Sequence, residues 1–235
     1  MIRYFLVALA MICLAGCQDT KSTKKDTTSE AVKDTIQKVE EKKPEPPKLG
    51  TPKNPFMPNQ YAVKPFLETY GEENPETKVR ISTSYGDIEM ELYKDTPLHR
   101  ANFILMVKEG YFDLTEFYRV SPSFVIQGGN SDSYKMGRKR KAMGDYLIPN
   151  ESKHRHHRGA LAAAKFVEQN ISNASSPFEF YIVQNPLGAH HLNGAHTVFG
   201  RVTKGMDVVD EINKVRVDQS EWPYDKIPMT VSIIE

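Results

Sequence analysis

Apolar and polar positions alternate in several stretches of the chain, and a period of two is typical of half-buried β-strands. The clearest case is a pair of runs, Val79–Thr83 and Ile88–Leu92, separated by Tyr85-Gly86-Asp87. Because a short turn joins two alternating runs, this region predicts a β-hairpin. Further strand-like runs lie at Phe124–Gln127, Leu161–Ala164, Phe178–Val183, Thr197–Val202 and Met229–Ile234.

Two segments have helical signals instead. Thr96 and Pro97 are suited to the N-cap and first position of a helix, which Gly110 closes. A second, shorter helix is predicted for Met206–Ile212, ending near Asn213. Many strands with only two helices favour a closed antiparallel barrel over a parallel sheet whose strands are joined by helices.

The N-terminus resembles an export signal. Arg3 precedes an apolar run, Tyr4–Ile12, which is shorter than the roughly 20 residues that a membrane-spanning helix needs. The run ends in Leu14-Ala15-Gly16-Cys17, which is similar to the lipobox of bacterial lipoproteins. That similarity implies removal of residues 1–16 as a signal peptide and lipidation of Cys17. Gln18 follows instead of the Asp that retains some lipoproteins at the inner membrane, so we expect the outer membrane of the bacterial cell envelope.

The next segment, residues 17–63, is rich in Lys and Pro and poor in aromatic residues. Such a composition cannot bury enough apolar surface to offset the chain entropy lost on folding. We therefore interpret it as a disordered tether between the lipidated cysteine and a folded domain of residues 64–235.

Composition limits the possible functions further. The formal net charge of the chain is only +1, so a polycation that binds nucleic acid through its overall charge is excluded. Cys13 and Cys17 are the only two cysteines, and both lie near the N-terminus. The folded part can contain neither a disulfide framework nor a four-cysteine metal site.

One region of the chain resembles a known family. The run FYRVSPSFVIQGGN at 117–130 is similar to the signature of cyclophilins, in which an Arg is followed at a fixed distance by Phe and then by Gln-Gly-Gly. The runs GALAAA at 159–164, FYI at 180–182, LNGAHTVFG at 192–200 and GMDVV at 205–209 follow in the family's order. The resemblance extends from about Val79 to Ile234.

The resemblance implies an eight-stranded barrel capped by two helices, and peptidyl-prolyl cis–trans isomerase activity on proline-containing polypeptides. It implies no cofactor and no metal, and we expect a monomer. By position, Arg119 and Gln127 match the family's catalytic residues. The substrate-binding positions matched in the same way are Tyr118, Phe124, Val125, Ala164, Lys165, Glu179, Tyr181, Leu192 and His196.

Departures from the family pattern leave a second function open. Tyr118 stands where the family often has His, and Glu179 stands where it usually has Gln. A carboxylate at 179 would either pair with Arg119 and compete with substrate, or help to orient its guanidinium group. In the first case the chain would be a proline-peptide binding module or chaperone with weak or lost isomerase activity.

A basic segment, residues 135–158, holds eight Lys or Arg residues and two acidic ones. It is interpreted either as a solvated loop or as a surface for an anionic partner such as lipopolysaccharide, anionic lipid or an acidic client. Nucleic acid is not expected in the envelope. The histidines of His154–Arg158 alternate with Arg and have no carboxylate or thiol cluster beside them, which argues against a metal site.

Overall fold

The computed structural model of the chain describes residues 48–166 and 172–235. The predicted signal peptide, Cys17 and most of the predicted tether lie outside the described residues. In the two described ranges, no helix has both the length and the apolar character needed to cross a bilayer.

Strands and helices alternate irregularly along the described part of the chain. The α-helices are α1 (Gln60–Glu73), α2 (Pro97–Lys108), α3 (Tyr134–Met143) and α4 (Met206–Ile212). The strands are β1 (Lys78–Thr83), β2 (Gly86–Leu92), β3 (Glu116–Ser121), β4 (Val125–Asn130), β5 (Ala160–Ala163), β6 (Phe180–Val183), β7 (Val198–Lys204) and β8 (Thr230–Ile233).

The strands form one eight-stranded sheet in the order β3-β4-β6-β5-β7-β2-β1-β8, with antiparallel pairing. The mainly β fold is confirmed, but the closed barrel is wrong, because the sheet is an open, curled half-barrel. Among the described residues, the edge strands β3 and β8 meet at a single bridge between Glu116 and Pro228. This bridge is held by two backbone hydrogen bonds, from the amide of Phe117 to the carbonyl oxygen of Ile227 (2.9 Å) and from the amide of Met229 to that of Thr115 (3.2 Å).

Two of the helices, α2 and α4, confirm the sequence prediction, but the expected count of two is wrong because α1 and α3 also form. Helix α1 buries only Val63, Leu67 and Gly71 and contains Pro65, so its apolar stripe is weak. Helix α3 lies inside the basic segment that was expected to be a loop. It buries Met136 and Met143 towards the core, while Lys135, Arg138 and Lys141 are exposed.

The start of α2 depends on a distant residue. Thr96 occupies the N-cap position and Pro97 the first turn, as predicted, but the Thr96 side chain makes no capping hydrogen bond. The carboxylate of Glu151 instead accepts from the amides of Leu98 (3.2 Å) and His99 (3.0 Å). A negative charge at this end is also favoured by the helix dipole.

Strands β5 and β6 are buried on both faces, and each face belongs to a different apolar cluster. Leu161, Phe180 and Ile182 point into the central core, which is covered by α2. The alternate residues Ala162 and Tyr181 point into a smaller cluster on the other side. Because successive side chains of a strand point to opposite faces, the same strands build the core and position the site described next.

Candidate active site

Nine of the eleven residues that the resemblance assigned to catalysis or substrate binding surround one cavity of about 180 Å³. They come from β3, β4, β6, the end of β5 and the segment between β6 and β7. The lining consists of Arg119, Phe124, Val125, Gln127, Ala164, Lys165, Tyr181, Leu192 and His196. The remaining two predicted residues, Tyr118 and Glu179, lie next to this lining and are connected to it by hydrogen bonds.

The apolar part of the lining belongs to the smaller cluster. Val125 and Tyr181 are buried in it, and Phe124 and Leu192 pack against it while partly exposed. Phe124 also stacks on His191, with ring centroids 5.4 Å apart. This surface is suited to a small apolar ring such as the side chain of proline.

Arg119 is one of two basic residues in the lining, with Lys165, and its side chain is 34% exposed. One terminal nitrogen donates to Oε1 of Gln127 at 3.0 Å. The other terminal nitrogen lies 2.6 Å from Oε2 of Glu221. A guanidinium group has five N–H donors in a fixed plane, so donors remain for a ligand in the cavity.

The orientation of the Gln127 amide is determined by Tyr118. The phenol of Tyr118 donates to Oε2 of Glu179 at 3.2 Å, and its oxygen accepts a short hydrogen bond from Nε2 of Gln127. The amide oxygen of Gln127 is therefore directed to Arg119. Burial, reinforced by the charge of Glu179, raises the pKa of Tyr118, so the phenol keeps the proton that this arrangement needs.

Glu179 does not pair with Arg119, which resolves the alternative left open by the sequence. It is largely buried, and its second oxygen lies 3.3 Å from a terminal nitrogen of Arg140 on α3. The Arg140 guanidinium also covers the ring of Phe178 at 4.5 Å. Glu179 thus acts on Arg119 only indirectly, through Tyr118 and Gln127, and it leaves the donors of Arg119 available.

The hydroxyl of Tyr181 has a partner behind the cavity. It lies 2.9 Å from Nε2 of His156, which is fully buried and whose Nδ1 lies 3.0 Å from Oδ1 of Asn193. Burial lowers the pKa of His156, so the imidazole is neutral at neutral pH. Its Nδ1 then donates to Oδ1 of Asn193, and its Nε2 accepts from the hydroxyl of Tyr181. The histidines of His154–Arg158 therefore have different environments, since His156 is buried behind the cavity and His154 pairs with Asp95 at the surface.

His196 has a comparable environment. Burial lowers the pKa of His196, and its Nδ1 lies 3.3 Å from the carbonyl oxygen of Ala163.

The two residues that follow β5, Ala164 and Lys165, differ in the hydrogen bonding of their main chains. The amide of Ala164 donates to the carbonyl oxygen of Glu179, and its carbonyl oxygen accepts from the amide of Ser176. Among the described residues, the main chain of Lys165 has no hydrogen-bond partner, whereas its side chain donates to Asn173.

Comparison with known proteins decides the family. A family profile described as cyclophilin type peptidyl-prolyl cis-trans isomerase matches residues 78–232, about two thirds of the chain. The chain belongs to the cyclophilin family.

Similar curated proteins support this assignment and the activity. A peptidyl-prolyl cis-trans isomerase of Acinetobacter baylyi is 38% identical over 143 residues, covering 59% of this chain and 73% of that protein. A peptidyl-prolyl cis-trans isomerase of Schizosaccharomyces pombe is 34% identical over 156 residues, covering 66% and 97%. A crystal structure of a Cryptosporidium parvum cyclophilin shares the fold, with a TM-score of 0.56 and 24% identity over 68% of this chain and 98% of that one. This cyclophilin is thus a peptidyl-prolyl cis–trans isomerase.

Sequence reasoning missed three polar residues around the site of this cyclophilin. The sequence places Arg140 only in the basic segment, and it places His156 in a histidine-rich run that does not fit a metal site. Glu221 was not singled out, because it lies about 100 residues beyond β3 in a segment without a regular hydrophobic pattern. Proximity of Glu221 to the only Trp of the chain, Trp222, was the one unusual local feature.

Proposed function

We propose that this cyclophilin accelerates the folding of bacterial envelope proteins by isomerising their X–Pro bonds, with Arg119 as the catalytic residue. The observation that carries the proposal is the meeting of the Arg119 guanidinium with an apolar lining in one cavity. A charged donor beside an apolar pocket meets the requirements of X–Pro isomerisation.

Rotation about an X–Pro bond is slow because amide resonance creates a barrier of about 20 kcal/mol. A hydrogen-bond donor directed at the prolyl nitrogen draws the nitrogen lone pair out of conjugation and weakens that resonance. Arginine is well suited to this role, since it remains charged at all physiological pH values and presents rigid donors. The reaction needs no nucleophile and no general base.

The other lining residues would hold the substrate. Phe124, Val125, Tyr181 and Leu192 would receive the proline ring. Gln127 would fix Arg119 and contact the rotating peptide. The main chain of Lys165, which has no hydrogen-bond partner among the described residues, would offer the pairing edge for the residue before proline. The sequence assigned that edge to Ala164 and Lys165 together, but the main chain of Ala164 is already bonded to Glu179 and Ser176.

The proposed place of action depends on the N-terminal segment. A lipid on Cys17, with the Lys- and Pro-rich tether behind it, would hold the domain at the outer membrane while allowing it to reach its clients. The test is metabolic labelling with palmitate, which should disappear in Cys17→Ala and persist in Cys13→Ala. Labelling that persists in Cys17→Ala contradicts this part of the proposal.

The basic segment at 135–158 is proposed as a contact for an anionic surface. Lys135, Arg138 and Lys141 lie on the outer side of α3, whereas Arg140 is used by Glu179. Binding of the full-length Cys17→Ala chain to anionic vesicles should be lost at high salt, because screening shortens the electrostatic range to about 3 Å at 1 M. Equal binding to neutral vesicles would contradict it.

The main test is an isomerisation assay on an Xaa-Pro peptide with Arg119→Ala. Loss of the donor should lower kcat/KM by at least about tenfold, since removal of one transition-state donor typically costs about 10²–10³-fold. Arg201→Ala is the matched control, since Arg201 is an exposed β7 residue that pairs with Glu91 and is absent from the cavity lining. Equal activity of wild type and Arg119→Ala would reject Arg119 as the catalytic residue.

A further inference from the structure

A short hairpin before β8 places a carboxylate against the catalytic arginine. Val217 and Pro223 form its bridge, and the amide of Asp218 donates to the carbonyl oxygen of Trp222 at 2.9 Å. The Asp218 carboxylate accepts from the amides of Ser220 (2.8 Å) and Trp222 (2.9 Å), which closes the turn. The hairpin is thus a defined structure and not an extended tail.

Glu221 lies in this turn with a φ of +64°, a left-handed conformation that residues other than glycine rarely adopt. Such conformations persist only where surrounding contacts hold them, and they are frequent at functional sites. The amide of Glu221 donates to the carbonyl oxygen of Asp218 within the turn (3.1 Å), and its other contacts are directed at β3, the strand that carries Arg119.

Three separate contacts connect Glu221 to β3. Its carbonyl oxygen accepts from the amide of Val120 at 2.8 Å. Its Oε1 accepts from the hydroxyl of Ser121 at 2.6 Å, and its Oε2 lies 2.6 Å from a terminal nitrogen of Arg119. The Ser121 hydroxyl and then the Arg119 charge hold the pKa of the Glu221 carboxyl below its ordinary value, against an opposing effect of burial.

These contacts distinguish the pair from an ordinary surface ion pair, which contributes little because both side chains move freely. Here one carboxylate oxygen is held by the largely buried Ser121, so the other oxygen has a fixed position relative to the strand. Gln127 holds the other terminal nitrogen of Arg119 from β4. The guanidinium plane is therefore fixed at both terminal nitrogens by residues of different elements.

We propose that Glu221 is a positioning residue for the isomerase reaction, which holds the Arg119 guanidinium so that its unused donors face the cavity. This inference rests on the proposed function of Arg119. A fixed donor needs no reorganisation when the peptide bond twists, so its effect is expected on the isomerisation step more than on peptide affinity.

The test combines kinetics with a spectroscopic signal, on full-length protein purified in mild detergent. NMR exchange measurements on an Ala-Pro peptide separate the on-enzyme isomerisation rate from the Kd. Glu221→Ala should lower the rate about tenfold while the Kd changes less than about threefold, since small errors of catalytic alignment affect mainly the reaction step. Glu221→Gln, which keeps an oxygen acceptor for Arg119, should recover part of the rate.

The guanidinium resonances of Arg119 provide the second readout. In ¹⁵N-arginine-labelled protein, hindered rotation of the bound terminal nitrogens should keep their signals separate in wild type and average them in Glu221→Ala. Glu91→Ala is the matched control, because it removes a carboxylate at 2.8 Å from Arg201, outside the cavity lining, and should leave both readouts unchanged.

Two results would overturn the proposal. One is an unchanged rate with unchanged Arg119 resonances in a folded Glu221→Ala variant. The other is a higher rate in that variant, which would mean that Glu221 competes with substrate for Arg119. Wild-type protein without activity would instead reject the isomerase function, and the Arg119 resonances would still report whether Glu221 fixes the guanidinium.

Discussion

Strands β5 and β6 have one face in the central core and the other in the smaller cluster beside the cavity, and the two faces carry different side chains. The core face carries Leu161, Phe180 and Ile182, and Phe180 meets the rings of Phe103, Phe112 and Phe117 within about 6 Å. The cavity face carries Ala162 and Tyr181, with Ala164 following β5.

The space left on the two faces differs, because the core beside Phe180 leaves a void of only about 10 Å³ whereas the cavity on the other face has about 180 Å³. Large aromatic rings fill the core to the density usual for protein interiors. On the other face the cavity is lined by the small Ala164 among larger side chains, and the polar groups around it are held by Tyr118, His156 and Glu221. We therefore expect the core face to contribute mainly to stability and the cavity face, under the proposed function, to substrate binding.

The largest expected effect comes from the core face. Phe180→Ala should reduce the free energy of unfolding by about 3–5 kcal/mol, because it removes a buried ring and leaves a void that its neighbours fill only partly. Urea denaturation measures this change. A loss below about 1 kcal/mol would contradict the division between the faces, since that is the size expected for a side chain outside a packed core.

A smaller effect on stability and a large one on activity are expected from Ala164→Leu. The added side chain would occupy the cavity that is proposed to receive proline, so kcat/KM should fall at least about tenfold, equivalent to 1.4 kcal/mol. Urea denaturation should show a smaller loss of stability than for Phe180→Ala, because the new atoms enter open space. Full activity in this variant would mean that substrate does not use the cavity.

The smallest effect concerns pH, and it should arise from the cavity side, where His156 is buried and His196 is half-buried. Burial lowers the pKa of both below the ordinary histidine value of 6.5, so the unfolded chain binds protons first on acidification. Stability should therefore decline as the pH falls below about 6.5. His156→Gln should reduce that decline when urea midpoints at pH 7.5 and 5.5 are compared. An identical decline in wild type and His156→Gln would exclude a contribution from His156.

Local pattern and family resemblance together predicted much of this molecule. Alternation located the β1–β2 hairpin, and the residues Thr96, Pro97 and Gly110 located α2, because strand period and helix boundaries depend on neighbouring residues. The order of residues in 117–130 and the later motifs indicated which side chains share a site, and nine of them line one cavity.

Contacts between distant segments were decided only by the tertiary structure. Glu151 caps α2 from more than 50 residues away, and Glu221 reaches β3 from about 100 residues away. The local sequence around each carboxylate is the same as expected for a carboxylate exposed to solvent. Its role depends instead on which backbone or side chain the fold places beside it. Whether the edge strands β3 and β8 close the sheet likewise depends on their distance in the fold, which no local pattern records, and among the described residues one isolated bridge at Pro228 joins β3 to the chain before β8.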